Sequence, residues 1–502
     1  MHREFELKVE LTKSDVERLI GSDGAPGIGI GPATAKRLRS IYYDTPEHDL
    51  HAKGISLRVR RQDGAWVQTV KADQQLRGGV SNPVELEAPL DGPEPEVGKI
   101  SSKKIRRIVQ DAVKEGGLEP VFETVIRRTT RPIKTGGSEQ ELAVDDGEVR
   151  VDGKSQDLRE AELELKAGTA QGLLVAAETL LGSSPIKFGT RSKAERGYRF
   201  ALGKEEGGRE PEKAKPAKIR ANDTCAKAFA AVLASAARQI TVNRQALLQS
   251  DDPEGAHQMR VGVRRLRSAL RALRPLVSRA SLWSFERSAR DIGRCVGELR
   301  DADVLISGIY SPTHAVAADK VGFDQLHETL LRNRQAKREE VRREITGPAW
   351  TRFQLYLALW PRTLEENRAL ERSVKKHART MLDKTWRKAR KLGDRLVSLS
   401  PEERHAMRKT LKRLRYQAEF FAPAFDRQNA RAFIKQLETL QDVFGYLNDV
   451  HMAPRLFALA GAAADPARAA GYIVGQHEAE ARHVWGTAKP AWKCLKRTEQ
   501  FW

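Results

Sequence analysis

The chain has 502 residues, with 88 Lys and Arg against 67 Asp and Glu, a net charge of +21 and a pI near 9.9. That is too long for one ordinary hydrophobic core, so two domains of about 200 and 280 residues are expected. No run approaches the roughly 20 apolar residues that span a bilayer, and the positive balance points to an anionic partner.

The charge is not evenly spread. Residues 223–502 hold 50 basic and 31 acidic side chains, an excess of 19. The first part is therefore nearly neutral while dense in both signs, which suits a site holding a metal and a phosphate together. Only three cysteines occur, Cys225, Cys295 and Cys494, without C-x-x-C spacing, which fits a reducing compartment. The opening M-H-R-E-F-E-L-K carries no apolar leader. A soluble, cytoplasmic protein without membrane association is expected.

From Glu4 to about Phe200 polar and apolar residues alternate in short runs, among them Glu4–Glu10, Ser56–Arg61, Trp66–Lys71, Val84–Ala88 and Ala161–Lys166. Such alternation predicts strands with one charged face. That face either meets water or, if the sheet closes, lines a polar lumen. In E-F-E-L-K, Glu4, Glu6 and Lys8 project from one side of a strand. Their oxygens suit Mg²⁺ or Mn²⁺, and the lysine suits a phosphate touching the same metal. Further along stand Arg58 and Arg60, Thr69 and Lys71, Glu85 and Glu87, Arg127 and Arg128. Glu160, Glu162, Glu164 and Lys166 then repeat the acid-and-base theme, and S-K-A-E-R-G-Y closes the region with Ser192, Lys193 and Arg196.

In order, E-F-E-L-K, Y-Y-D-T-P (Tyr42–Pro46), L-R-V-R, Q-T-V-K, E-L-E-L-K and S-K-A-E-R-G-Y make residues 1–201 similar to the CYTH family of triphosphate tunnel metalloenzymes. The resemblance implies an antiparallel eight-stranded β-tunnel with flanking helices and metal-dependent cleavage of a linear triphosphate. It implies that Glu4, Glu6, Glu162 and Glu164 hold the divalent metal, Mg²⁺ or Mn²⁺, with Glu4, Glu6 and Lys8 at the catalytic end. Lys8, Arg58, Arg60, Lys71, Arg128, Lys193 and Arg196 would grip phosphate oxygens. Glu85, Glu87, Asp145 and Lys166 would complete the substrate site. One departure is Pro83, two residues before Glu85, where the family usually carries an arginine.

Residues 202–222 contain K-E-E-G-G-R-E-P-E-K-A-K-P and read as a linker. Beyond it, Ala/Leu/Arg-rich amphipathic segments predict an all-α domain over 223–502. It is internally duplicated: A-H-Q-M-R-V-G-V-R-R-L-R from Ala256 matches R-H-A-M-R-K-T-L-K-R-L-R from Arg404, an offset of 148 that also pairs Gly297 with Gly445 and Asp301 with Asp449. The repeats would start near 223 and 371. His257, Arg260, Arg264, Arg267 and Arg271 form one helical stripe, backed by Met259, Val263, Leu266, Leu270 and Leu273. His405, Arg408, Lys412 and Arg415 repeat it against Met407, Leu411, Leu414 and Phe421. The stripes carry almost no aromatics, which disfavours single-stranded nucleic acid as the partner. They resemble the CHAD family of conserved-histidine α-helical domains, which implies binding of inorganic polyphosphate.

The combined expectation is an α+β multidomain hydrolase. It would cut inorganic triphosphate to diphosphate and phosphate in the tunnel and bind polyphosphate on the helices. Two other functions stay open. One is an adenylate cyclase or a thiamine or nucleoside triphosphatase, and the other is a non-catalytic polyphosphate-binding targeting protein.

Overall fold

The computed structural model describes residues 5–502 apart from Asp23, Ala25, Asp63, residues 73–79, Asn82, Pro83, Glu115, Thr190 and residues 204–209 and 318–320. Glu4 and Pro83 thus lie outside the described residues. The chain forms two compact units, Met1–Gly207 with Thr346–Thr363, and Gly208–Ile345 with Leu364–Trp502. Among the described residues no helix is long and apolar enough to cross a membrane.

The first unit contains β1 (Phe5–Glu10), β2 (Gly29–Ile30), β3 (Thr34–Asp44), β4 (Ser56–Gln62), β5 (Ala65–Ala72), β6 (Val80–Ser81), β7 (Val84–Leu90), β8 (Glu119–Thr135), β9 (Ser138–Val151), β10 (Lys154–Ala167) and β11 (Lys187–Phe188). All pair antiparallel, in the order β11-β1-β10-β9-β8-β3-β4-β5-β7. β6 enters β7 after two residues and pairs with β1 through Glu6 and Ser81, Leu7 and Val80. Among the described residues the path therefore returns on itself, since β7 ends it beside β5, and β6, just before β7 in the chain, pairs with β1; counting β6 with β7 gives eight main strands, to which β2 and β11 are short additions. The β9–β10 hairpin turns on Asp152 and Gly153, both at positive φ (46° and 76°). A two-residue turn of this kind matches the right-handed strand twist, and Asp-Gly is the pair that tolerates it.

Alternation along the strands then sorts the side chains. Outward residues Leu57, Val59, Val70 and Val84 pack on helices α2 (Asp49–Ala52) and α3 (Lys103–Val113), through Leu50, Ile105 and Val109. Helix α1 (Lys13–Ile20) begins at a Thr12–Asp15 capping box. Helix α4 (Ala170–Leu181) lays Leu180 and Leu181 beside Leu7, Val9, Leu142 and Leu163. On the inward side Leu38, Tyr42, Phe122, Ile126 and Leu158 make an apolar layer on which α5 (Lys193–Ala201) seats Ala194 and Tyr198.

The second unit is helical: α6 (Cys225–Gln249), α7 (Pro253–Leu273), α8 (Arg279–Val304), α9 (Ser311–Ala317), α10 (Phe323–Glu344), α12 (Val374–Gly393), α13 (Pro401–Phe421), α14 (Arg427–Met452), α15 (Arg455–Ala460), α16 (Ala464–Gly486) and α17 (Ala488–Arg497). The duplication appears in the helix bounds, since α13 and α14 begin and end 148 residues after α7 and α8. Of the expected linker, residues 210–222 form no helix or strand but are packed. Ala217 and Ile219 are buried, and Glu212 exchanges hydrogen bonds with the Asn243 side chain at 3.0 and 2.8 Å.

Helix α11 (Pro348–Thr363), which the sequence reading places in the helical domain, belongs to the first unit. Thr351 Oγ1 donates to Ser184 O (2.8 Å) and accepts from Ile186 N–H (2.9 Å). Arg352 Nη1 donates to Gly182 O and Tyr356 OH to Glu178 Oε2, each at 2.9 Å. Trp350, Phe353, Leu355, Leu359 and Trp360 are all buried. The run is rich in large apolar residues, as a helix buried along most of its length must be. Replacing Phe353 by Ala should destabilise the first unit by about 3–5 kcal/mol through lost burial and a residual cavity, read as a shift of its denaturant midpoint.

Candidate active site

The inward faces of β1, β8, β9 and β10, with the start of α5, bring seven charged groups together. Lys8 Nζ lies 2.8 Å from Glu162 Oε1 and 3.2 Å from Glu6 Oε1. Arg128 meets Asp145 with two hydrogen bonds (2.8 and 2.7 Å) and Glu162 Oε2 with a third (2.9 Å). Lys193 Nζ lies 2.9 Å from both Asp145 and Glu162 and also contacts Glu160. The register explains the meeting: Lys8 stands opposite Glu162, Glu160 opposite Asp145, and Asp145 opposite Arg128.

A second group lines β4, β5 and β7. Glu85 contacts Lys71 Nζ (2.6 Å) and Arg58 Nη2 (3.3 Å). Thr69 donates to Glu87 (3.2 Å), and Arg60 Nε donates to Ser40 Oγ (3.0 Å). Arg128 perturbs both Arg58 and Arg60, so the two groups face one interior. Burial, with Arg58 and Arg128 nearby, lowers the Arg60 guanidinium to about 9, leaving it charged at neutral pH.

In the helical unit, Arg260, Arg264, Arg408 and Lys412 converge from α7 and α13. Arg260 reaches Asp301 at 3.5 Å and passes so close to Gly297 that a Cβ there would lie 2.2 Å from its Nη1. Arg264 Nε and Arg408 Nε are buried without hydrogen-bond partners. Burial, then the charges of Arg264, Arg408 and Arg260, push the Lys412 amine down to about 6. This is a pocket of positive charge short of acids, and such burial is unfavourable until an anion arrives.

Residues 2–198 match the CYTH domain family and residues 231–458 the CHAD domain family. The chain is a CYTH domain followed by a CHAD domain. An inorganic triphosphatase of Haemophilus influenzae is 31% identical over 162 residues, 32% of this chain and 45% of that protein's length. An uncharacterized protein of Mycobacterium tuberculosis is 26% identical over 449 residues, 83% of this chain and 82% of its own. The crystal structure of the CHAD domain from the plant Ricinus communis superposes with a TM-score of 0.52 at 28% identity, covering 58% of this chain and 99% of that one.

Within the CYTH domain some candidate residues stand apart from the central group. Lys166 sits at the exposed end of β10, 2.6 Å from Glu164 and 3.6 Å from Glu141. Arg196 Nη1 is 3.7 Å from Glu160 and makes no hydrogen bond. Glu164 pairs across strands with Glu6, whose Oε1 is buried and accepts no hydrogen bond. A buried carboxylate oxygen that meets the Lys8 ammonium without accepting a hydrogen bond fits a cation ligand, although among the described residues no three acidic, histidine or cysteine side chains are grouped to hold a metal ion.

In the CHAD domain Arg415 departs from the cluster, because Glu419 takes it at 3.0 Å and Glu438 lies 3.9 Å away. Arg267 feels Arg290 and Glu286, and Arg271 feels Arg267 and Arg413, while His257 is half-buried beside Arg300 and His405 is exposed beside Lys409 and Arg408. The sequence reading missed Arg300, which bears on His257 and Arg260 alike. It stands directly before Asp301, within the duplicated motif. Also missed were Ser40 and Tyr42, whose alternation with Leu38 was the available signal.

Burial works against ionisation of Asp145, but Lys193 and Arg128 outweigh it and hold the carboxyl below its ordinary value of 3.8. A depressed folded-state value means that this contribution to stability is present above the ordinary range and is lost as pH falls through it. Asp145→Asn should therefore cost about 3 kcal/mol at pH 7, where it takes one carboxylate partner from two buried cations. The gap to wild type should narrow at pH 3, as followed by urea unfolding at both pH values.

Proposed function

We propose that the CYTH domain hydrolyses inorganic triphosphate to diphosphate and phosphate with Mg²⁺ or Mn²⁺, and that the CHAD domain binds inorganic polyphosphate. The observation that carries the first reading is the buried lattice around Glu162, in which Lys8, Arg128 and Lys193 are paired with carboxylates inside a closed sheet. Phosphoryl transfer asks the protein for positioning and charge neutralisation rather than a side-chain nucleophile. A triphosphate entering this interior would take Lys8, Arg128 and Lys193 from their acids, with Arg58, Arg60, Lys71 and Arg196 along the remaining phosphates. Glu6, Glu162 and Glu164, together with Glu4, would then be free to hold the divalent cation, which supplies further neutralisation of phosphate charge when bound. Glu160, whose carboxyl burial raises above its ordinary range despite Lys193, would accept a proton from the attacking water. The likeness to the Haemophilus influenzae inorganic triphosphatase supports the choice of substrate.

The purified chain should release phosphate from tripolyphosphate only with Mg²⁺ or Mn²⁺, and faster than from ATP or thiamine triphosphate. Glu6→Ala, like Glu4→Ala, should lose about 10²-fold in kcat, the scale expected when charge stabilisation is removed. Full activity in both variants would defeat the assignment.

For the CHAD domain, the supporting observation is the acid-poor group Arg264, Arg408 and Lys412. The intact chain should bind long-chain polyphosphate without metal, with an affinity that falls steeply with salt as condensed counterions are released. Reversing charge at Arg264, Arg267, Lys412 and Arg415 should abolish binding, whereas single-stranded RNA should compete poorly at matched phosphate and salt. The affinity should also rise as pH falls from 8 to 5, because Lys412 gains its proton near 6 and adds a charge facing the polyanion. Burial and neighbouring cations lower His257 and His405 from the ordinary imidazole value, and these groups too gain protons as pH falls, so the comparison is with Lys412→Met. Isothermal titration should show a flatter pH profile for that variant, and an identical profile would remove Lys412 from the site.

A further inference from the structure

Asp44 ends β3 and is fully buried. Its Oδ1 accepts from the backbone N–H groups of Thr45 and Leu50, each at 2.8 Å. Its Oδ2 accepts from His51 N–H (2.9 Å) and from Tyr198 O–H (2.7 Å). Among the described residues Asp44 makes no ion pair, and four hydrogen-bond donors hold its buried carboxylate. Three of them belong to the turn and helix α2 that follow it in sequence. The fourth comes from α5, 154 residues away, and none of the proposed catalytic steps uses it.

Helix α5 delivers Lys193 at its first residue and Arg196 three residues later. Its other attachments converge on Tyr198. The His51 ring stacks on the Tyr198 ring at 4.2 Å between centroids, while His51 Nε2 meets Glu195 Oε2 at 2.8 Å. Gly197 lies flush on Phe122, where a Cβ would come within 2.1 Å of a ring carbon. Burial, and then Asp44 itself, raises the Tyr198 phenol above its ordinary range, so it remains a donor.

Lys193 must serve Asp145, Glu160 and Glu162 at once from a long flexible side chain, so its backbone origin has to be fixed. We propose that the Tyr198–Asp44 hydrogen bond is a positioning contact for the triphosphatase site, setting α5 so that Lys193 reaches the interior acids. This rests on the triphosphatase reading and adds two residues to it. Neither would touch substrate. The Y-Y-D-T-P and S-K-A-E-R-G-Y motifs, far apart in the chain, would then be two halves of one latch.

The test is a double-mutant cycle in the full chain, with Tyr198→Phe, Lys193→Met and both together, assayed for kcat/KM on tripolyphosphate with Mg²⁺ alongside thermal melting. Tyr198→Phe should lower kcat/KM about tenfold when Lys193 is present and less than about twofold when it is not, because coupled residues are not additive. Equal losses in the two backgrounds from an active wild type would overturn the proposal alone, as would unchanged activity in Tyr198→Phe. A Tyr198→Phe chain that no longer folds would assign the hydroxyl to stability and overturn it too. A wild type without tripolyphosphatase activity would remove the proposal together with the reading beneath it.

Discussion

Glu162 accepts from Lys8 and Arg128 and also meets Lys193, all at 2.8–2.9 Å, and the CYTH interior is organised around that carboxylate. Three cations in one enclosed space would repel one another and lack solvent. They are tolerable only because Glu162, Asp145 and Glu160 lie between them. The strong fields of Lys193, Lys8 and Arg128 overcome burial and hold Glu162 well below the ordinary carboxylate range, so it stays ionised. Strand closure and charge pairing thus depend on each other. The closed sheet supplies the enclosure that makes the pairs strong, and the pairs make an enclosed polar face affordable.

The same argument gives the two domains different chemistry. In the CYTH domain acids and bases nearly balance, which suits a ligand bringing both a polyanion and a metal cation, since each sign finds its counterpart. In the CHAD domain cations outnumber the described acids around Arg264, Arg408 and Lys412, and burial together with Arg264, Arg408 and Arg260 lowers the Lys412 amine despite Asp449. An unbalanced site of this kind favours a bare polyanion. Duplication reaches the result economically, because two copies of one basic stripe place like charges together across α7 and α13. Asp301 and Asp449 offset these charges in part.

Helix α11 shows that domain membership follows packing rather than chain order. Its apolar faces cannot be left in water, and the α4 side of the CYTH unit offers hydrogen-bond partners at Glu178, Gly182 and Ser184. A cut at residues 202–222 would therefore leave the first unit without part of its own core.

Which residues share a face was legible in the chain alone. Period-two alternation put Glu6 with Lys8, Arg58 with Arg60 and Glu160 with Glu162 and Glu164, and the 148-residue offset predicted two equivalent basic helices. These are local properties of the backbone, legible wherever side chains repeat at the strand or helix period. What faces a residue from another element is not a local property. Register and packing alone set Glu162 among three cations while Lys166 lies at an exposed strand end, and gave Arg415 to Glu419 while leaving Lys412 beside Arg264, Arg408 and Arg260. The assignment of α11 to the first unit belongs with these, as does the bond from Tyr198 to Asp44. Each depends on register, strand order and helix placement, which arise from packing across more than a hundred residues and leave no period in the chain.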